Sequence, residues 1–254
     1  MSILTKLYIQ RLLRQKFIYI FFLCFLTASG FYAFLISTPQ MESMLNVNLN
    51  LVGGGNFPEF MMRFYVGTVG ILFVAFLITF YICEEDRNRI LYQPLLHGQS
   101  RSSIVKAKIV VYGSMSFLFV ILIGCINYVM AFMRWGQVVL DTAIVIRVAV
   151  KYLLSGMYMV SLTIAIVALC IWTRSTLKTV VTVILYILVD SFICGMNSVL
   201  PKSVWIGYYP DTCLFLHEYQ KIPLKIFLLG GIVMAAYSLL FYRIAMDKIE
   251  KINF

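Results

Sequence analysis

Apolar positions run without interruption for about twenty residues at six places: Phe17–Ile36, Phe64–Cys83, Ile109–Met133, Tyr152–Trp172, Thr179–Leu200 and Ile226–Met246. About 20 apolar residues in a helix cross about 30 Å of hydrocarbon. Lipid offers the backbone no hydrogen-bond partner, so runs of this length predict helices that pair every N–H and C=O internally. A transmembrane barrel would show shorter segments of alternating polarity. The connectors leave no room for a sizeable soluble domain. The fold class is therefore all-α, with residues 1–254 forming a single polytopic membrane domain of six spans.

Ahead of the first run, Leu4, Tyr8, Ile9, Leu12 and Leu13 gather on one face of a helical wheel, and Lys6, Gln10, Arg11 and Arg14 on the other. This pattern predicts an amphipathic helix lying in the membrane interface. Between the second and third runs, Glu84 to Lys108 forms the longest inner loop. Pro94 disfavours helix at Gln93. Ser100 is placed to cap a helix leading into the third run. The first outer loop (37–62, with Pro39, Glu42, a glycine triplet at 53–55 and Glu59) has a weakly strand-like alternation and no assignable role. The outer loop 134–151 mixes apolar and charged residues. In 201–225, Trp205, Tyr208, Tyr209, Phe215 and Tyr219 stand among Pro201, Pro210 and Pro223, as in broken helices that re-enter a leaflet or an aromatic belt.

Composition agrees with this reading: 61% of residues are hydrophobic, 13% are charged, and the mean hydropathy is +0.90. The net charge of +10 is explained by loop cations rather than by nucleic acid. With the N-terminus inside, fourteen lysines and arginines fall in inner segments and seven in outer ones, so both termini are expected in the cytoplasm. Five of the six cysteines lie within the apolar runs, which leaves Cys213 without an intramolecular partner and argues against a disulfide framework.

Chemistry-bearing motifs are few. No Gly-x-x-x-x-Gly-Lys-Ser/Thr loop is present, so ATP hydrolysis is expected elsewhere. Glu84-Glu85-Asp86-Arg87-Asn88-Arg89 resembles the Glu-Glu-x-x-x-Arg motif of the CAAX-type intramembrane proteases. That family also needs helical histidines after phenylalanine and before Asn or Asp. Here His97 and His217 lie in loops, with Gln93 and Cys213 before them and Arg101 and Lys221 after them. Two histidines on opposite sides of a membrane also cannot share a metal, so neither a metal nor a catalytic site is expected. Asp190 falls eleven residues into the fifth run, where a charge costs about 2.5–3.5 kcal/mol to insert. It is either a polar contact of a transport path, including a proton-linked carrier, or an acid hydrogen-bonded to Asn127, a serine or a tyrosine on a neighbouring helix.

The amphipathic first helix, the six runs and the inner loop together resemble the ABC-2 class of ATP-binding-cassette permeases. The local features that carry the resemblance are Glu84 and Glu85 closing the second run, the short element Ile90–His97, the Ser100-Arg101 step, and Lys106 and Lys108 entering the third run. The resemblance implies that this chain is the membrane subunit of an exporter, paired with a second permease copy, identical or not. ATP and Mg would be held by separate ATPase subunits, and no cofactor by this chain. It implies coupling through Glu84, Glu85, Arg87, Arg89, Ile90, Leu91, Leu95, Leu96, His97 and Arg101. It also implies a path lined by the first, second and fifth spans, with Phe25, Tyr32 and Asp190 as candidates. The chain is most similar to permeases that expel antimicrobial or toxin peptides, as in bacitracin or lantibiotic resistance, which implies a bacterial cell membrane and a hydrophobic or amphipathic substrate. Export of a polysaccharide, a lipid-linked molecule or a small ion is the alternative.

Overall fold

The computed structural model describes residues 3–36, 54–62, 69–87, 98–199 and 224–250. In chain order the described helices are α1 (Ile3–Leu13), α2 (Lys16–Phe31, continued by a π turn at Tyr32–Ile36), α3 (Phe57–Met62), α4 (Ile71–Arg87), α5 (Arg101–Trp135), α6 (Thr142–Thr173), α7 (Thr176–Val199) and α8 (Leu224–Glu250). Short 3-10 turns, Gly54–Asn56 and Gly136–Leu140, precede α3 and α6. No strand occurs among the described residues.

Two helices, α5 with 35 residues and α6 with 32, are each long and apolar enough to cross a bilayer. Among the described residues they form the most extensive contact, and α6 also packs on α4, α7 and α8. Their close approach rests on small residues. A Cβ on Gly124 of α5 would stand 2.8 Å from the Tyr152 ring, and one on Gly156 of α6 would stand 2.8 Å from the Phe117 ring. Without hydrophobic solvent exclusion in lipid, such close van der Waals contact is what joins helices. Gly156→Leu is therefore expected to cost about 1–3 kcal/mol by overpacking, read as a lowered unfolding midpoint in detergent. An unchanged midpoint would show that the contact is dispensable.

Polar groups are layered along this helix pair. Lys108, buried near one end of α5, and Asn127, buried near the other, are nineteen residues apart. At 1.5 Å per residue this is about 28 Å, close to the thickness of a hydrocarbon core. Between them the polar side chains turn on one another, as where Ser116 and Thr163 join hydroxyls at 2.7 Å.

Several expectations are corrected. Residues 54–62, read as loop, form a buried turn and helix, with Phe57, Met61 and Met62 fully enclosed. The segment 134–151 is mostly ordered as helix. Asp141 caps α6 by accepting from the Ala143 N–H at 3.1 Å, so the helix begins ten residues before the apolar run at Tyr152. On α1, Leu4 and Leu12 are buried against protein, yet Leu13 is exposed and Arg11 turns inward. A helix that packs on protein as well as on a surface answers to two faces, and a single wheel cannot separate them. Asn127, named as one possible partner of Asp190, accepts from Ser29 and donates to Tyr152; the Asp190 side chain lies outside the described ones.

The break between α1 and α2 bends the chain by 54°. Tyr19 stabilises the elbow by donating its hydroxyl to the carbonyl of Leu13 at 2.8 Å. The turn from α6 to α7 is closed by Arg174 in the left-handed region (φ 48°), its N–H on the Cys170 carbonyl at 2.9 Å. The residues 88–97 and 201–223, which hold the coupling element and the aromatic outer segment, lie outside the described residues, as does the strand-like alternation in the first outer loop.

Candidate coupling base and its opposite clasp

At one end of the α5–α6 pair, the end predicted to be cytoplasmic, three helices converge on one acid. Glu85, in the last turns of α4, is 1% exposed. Arg11 of α1 donates through Nη1 to its Oε1 at 2.7 Å, and Lys108 of α5 stands 2.7 Å from its Oε2. The second contact is an ion pair without an aligned hydrogen bond. Rings pack around the charges: Tyr81 lies 5.9 Å from the Arg11 guanidinium carbon and Tyr8 lies 5.8 Å from Lys108 Nζ. Burial, reinforced by the charge of Glu85, pushes the Tyr8 phenol well up, so it stays neutral beside the cation. Desolvation makes such a triad costly to assemble and more costly to break.

This triad sits at the root of the segment 88–97, since α4 ends at Arg87 and α5 begins at Arg101. The start of α5 is fixed independently. Ser100 Oγ accepts from the Ser103 N–H at 3.2 Å, as expected of a cap. Ser100→Ala should cost about 1 kcal/mol, measured as a fall in unfolding midpoint that Ser100→Asp restores; no fall would remove the cap from the account. Arg101 donates to the carbonyl of Glu250 at 3.0 Å and so ties α5 to the end of α8.

Of the residues expected to couple, Glu84 and Arg87 are placed on α4 by backbone alone, Glu85 is enclosed by its two cations, and Arg101 reaches α8. Arg89, Ile90, Leu91, Leu95, Leu96 and His97 lie outside the described residues. Of the path candidates, Phe25 is buried in an aromatic cluster, 4.5 Å from the Phe21 ring and 5.6 Å edge-on to Phe119. Tyr32 is half-buried on the π turn, and Asp190 belongs to α7 by its backbone.

The opposite end carries a second charged group that the sequence did not reveal. Glu59 of α3 meets two cations of α6, Arg147 Nε at 2.6 Å and the Nζ of Lys151. Glu59 is 6% exposed and Lys151 1%. Arg147 also reaches Asn56 Oδ1 at 3.4 Å. A neutral chain continues inward: Tyr152 donates to the Pro58 carbonyl at 2.7 Å, Asn127 donates to the Tyr152 hydroxyl at 3.1 Å, and Ser29 donates to Asn127 Oδ1 at 2.8 Å. The 147/151 spacing, one turn apart on a helix face, was the available signal. It was hidden by reading 134–151 as loop.

Among the described residues no three His, Cys, Asp or Glu side chains gather as a metal site. Cys24 and Cys125 are exposed, Cys83 and Cys170 are buried, and no disulfide joins these four. The arrangement joins helices through charge at both ends.

Residues 7–190 match the family model described as ABC-2 family transporter protein, which covers well over half of the chain. Comparison with curated proteins and with solved structures returned no match.

Proposed function

The chain belongs to the ABC-2 family of transporter proteins, and from that premise we propose that it is the six-span permease subunit of a bacterial exporter for an amphipathic peptide. The family implies association with ATP-binding-cassette ATPase subunits. In this reading ATP and Mg belong to those subunits, both termini face the cytoplasm, α1 lies at the cytoplasmic interface, and a second permease copy completes the path.

The observation that carries the reading is the buried Arg11–Glu85–Lys108 triad at the root of the segment 88–97. A segment that transmits force must be rigid where it leaves the membrane. Here the helices on both sides of it, α4 and α5, are joined through one carboxylate, and Arg11 adds α1 to the same point. ATPase closure acting on 88–97 would then move α1, α4 and α5 together. Because α5 and α6 share the most extensive helix contact among the described residues, the displacement would reach the Glu59 end. Glu85 positions the coupling element, while residues of 88–97 make the contact.

The amphipathic-peptide substrate rests on the aromatic character of the first span, with the half-buried Tyr32 as its accessible ring and Asp190 as a polar point on the fifth, while Phe25 is held within the Phe21 and Phe119 cluster. Pull-down of the permease with its ATPase subunit tests the arrangement. Scrambling Ile90–His97 is expected to abolish association while the variant still inserts and folds. Retained association would contradict the coupling role.

A further inference from the structure

Away from both charged clusters, α6, α7 and α8 enclose a cavity of about 350 Å³. Tyr158, Ala165 and Ile166 of α6, Val183 and Tyr186 of α7, and Phe241 of α8 form its walls. The volume falls in the range of ligand pockets and is more than twice that of an apolar cavity large enough to admit benzene.

Four of the five side-chain hydroxyls on its lining are engaged with protein groups. Ser161 donates to the Met234 carbonyl at 3.2 Å and Thr182 to the Lys178 carbonyl at 2.8 Å. The Tyr158 and Tyr186 hydroxyls meet each other at 3.1 Å. The lining is therefore mostly apolar. Lining residues include no lysine, arginine, aspartate or glutamate, so the part of the ligand inside is neutral and apolar. The surrounding helix faces are exposed and apolar: Ile184, Leu185 and Leu188 on α7, Leu239 and Leu240 on α8. Faces of this kind suit lipid tails.

Its end nearest the α6–α7 turn is basic. Lys178, exposed, lies one turn before Thr182 on the same face of α7. Lys248 lies two turns beyond Phe241 on the same face of α8, with its ammonium 5.7 Å from the ring of Trp172. Trp172 itself is exposed, as interfacial tryptophans are. Asp247 is also exposed but sits about 100° round the helix from Lys248. Basic pockets between membrane helices bind anionic headgroups.

We infer that this cavity holds one acyl chain of an anionic phospholipid, whose phosphate is gripped by Lys178 and Lys248 beside Trp172. Bound this way, a lipid wedges α7 and α8 against α6 and belongs to the protein rather than to the surrounding bilayer.

Native mass spectrometry of the purified permease, titrated with phosphatidylglycerol or phosphatidylcholine of identical chains, tests this. One lipid is expected to bind with an apparent Kd at least tenfold lower for phosphatidylglycerol. Lys178→Gln with Lys248→Gln should erase the preference, Val183→Phe should lose both lipids, and inorganic phosphate should displace neither. Equal binding of the two lipids to the parent protein, undiminished binding to the filled variant, or displacement by phosphate would overturn the assignment. A second measurement leaves the cavity intact. Quenching of Trp172 by phosphatidylglycerol with brominated chains, taken as the difference from Trp172→Phe, should saturate at a lower lipid fraction than with brominated phosphatidylcholine. Coincident curves would overturn it.

Discussion

Glu85→Gln is expected to lower the stability of the permease by about 3–5 kcal/mol, the cost of leaving a buried charge without its partner. Lys108 is the charge that suffers, because it is as enclosed as Glu85 itself. Arg11 suffers less, since about a third of its side chain reaches solvent. The order of effects follows: Glu85→Gln should exceed Arg11→Gln, which retains the Lys108 pair. Adding Lys108→Met to Glu85→Leu should recover most of the loss, because an apolar replacement of a buried pair is often neutral or better. Thermal unfolding in detergent, followed by circular dichroism, reads all four variants. If Arg11→Gln costs as much as Glu85→Gln, the triad does not work through its buried pair. A functional consequence accompanies the structural one. With α1, α4 and α5 no longer joined, the permease should bind its ATPase yet fail to stimulate hydrolysis.

At the other end of α5 and α6, Glu59→Gln is expected to cost a similar amount, about 3–5 kcal/mol, and to free α3. Two cations on α6 share that one carboxylate, and Lys151 is buried. Lys151→Met should cost less than Glu59→Gln, since Glu59 would keep Arg147. The local consequence is measurable without unfolding the protein. Met61 is fully enclosed, so a thiol introduced by Met61→Cys should resist a polar alkylating reagent in the parent and react when Glu59→Gln is added. Equal protection in both would show that α3 is held by packing of Phe57, Met61 and Met62, and that the charges are incidental. Tyr152→Phe should loosen the same element by about 1–3 kcal/mol, because it removes the bond to the Pro58 carbonyl and takes from the buried Asn127 amide its acceptor.

The contrast between what the chain disclosed and what it concealed follows from the kind of signal each part carries. Long apolar runs announce helices in any context. The expected positions of α2, α5, α7 and α8 accordingly agree with the observed helices to within a few residues in α2 and α7, while α5 starts eight residues before its apolar run. Ser100 was recognisable as a cap because capping needs only neighbours in sequence. Glu59 was not recognisable, because its partners lie about ninety residues away and its own segment reads as loop. Arg11 belonged on the headgroup-facing side of an interfacial helix by its position on the wheel, and only the tertiary position of Glu85, 74 residues on, turns it inward. The cavity walls on α6, α7 and α8 look like any apolar helix surface until the three are brought together.

ATP hydrolysis by the partner ATPase, measured with and without this permease in the same lipid nanodiscs, tests the central claim most directly. The account predicts that the parent chain stimulates hydrolysis and that Glu85→Gln, though bound to the ATPase, does not. An ATPase indifferent to the permease, or a Glu85→Gln chain that stimulates as well as the parent, would contradict it.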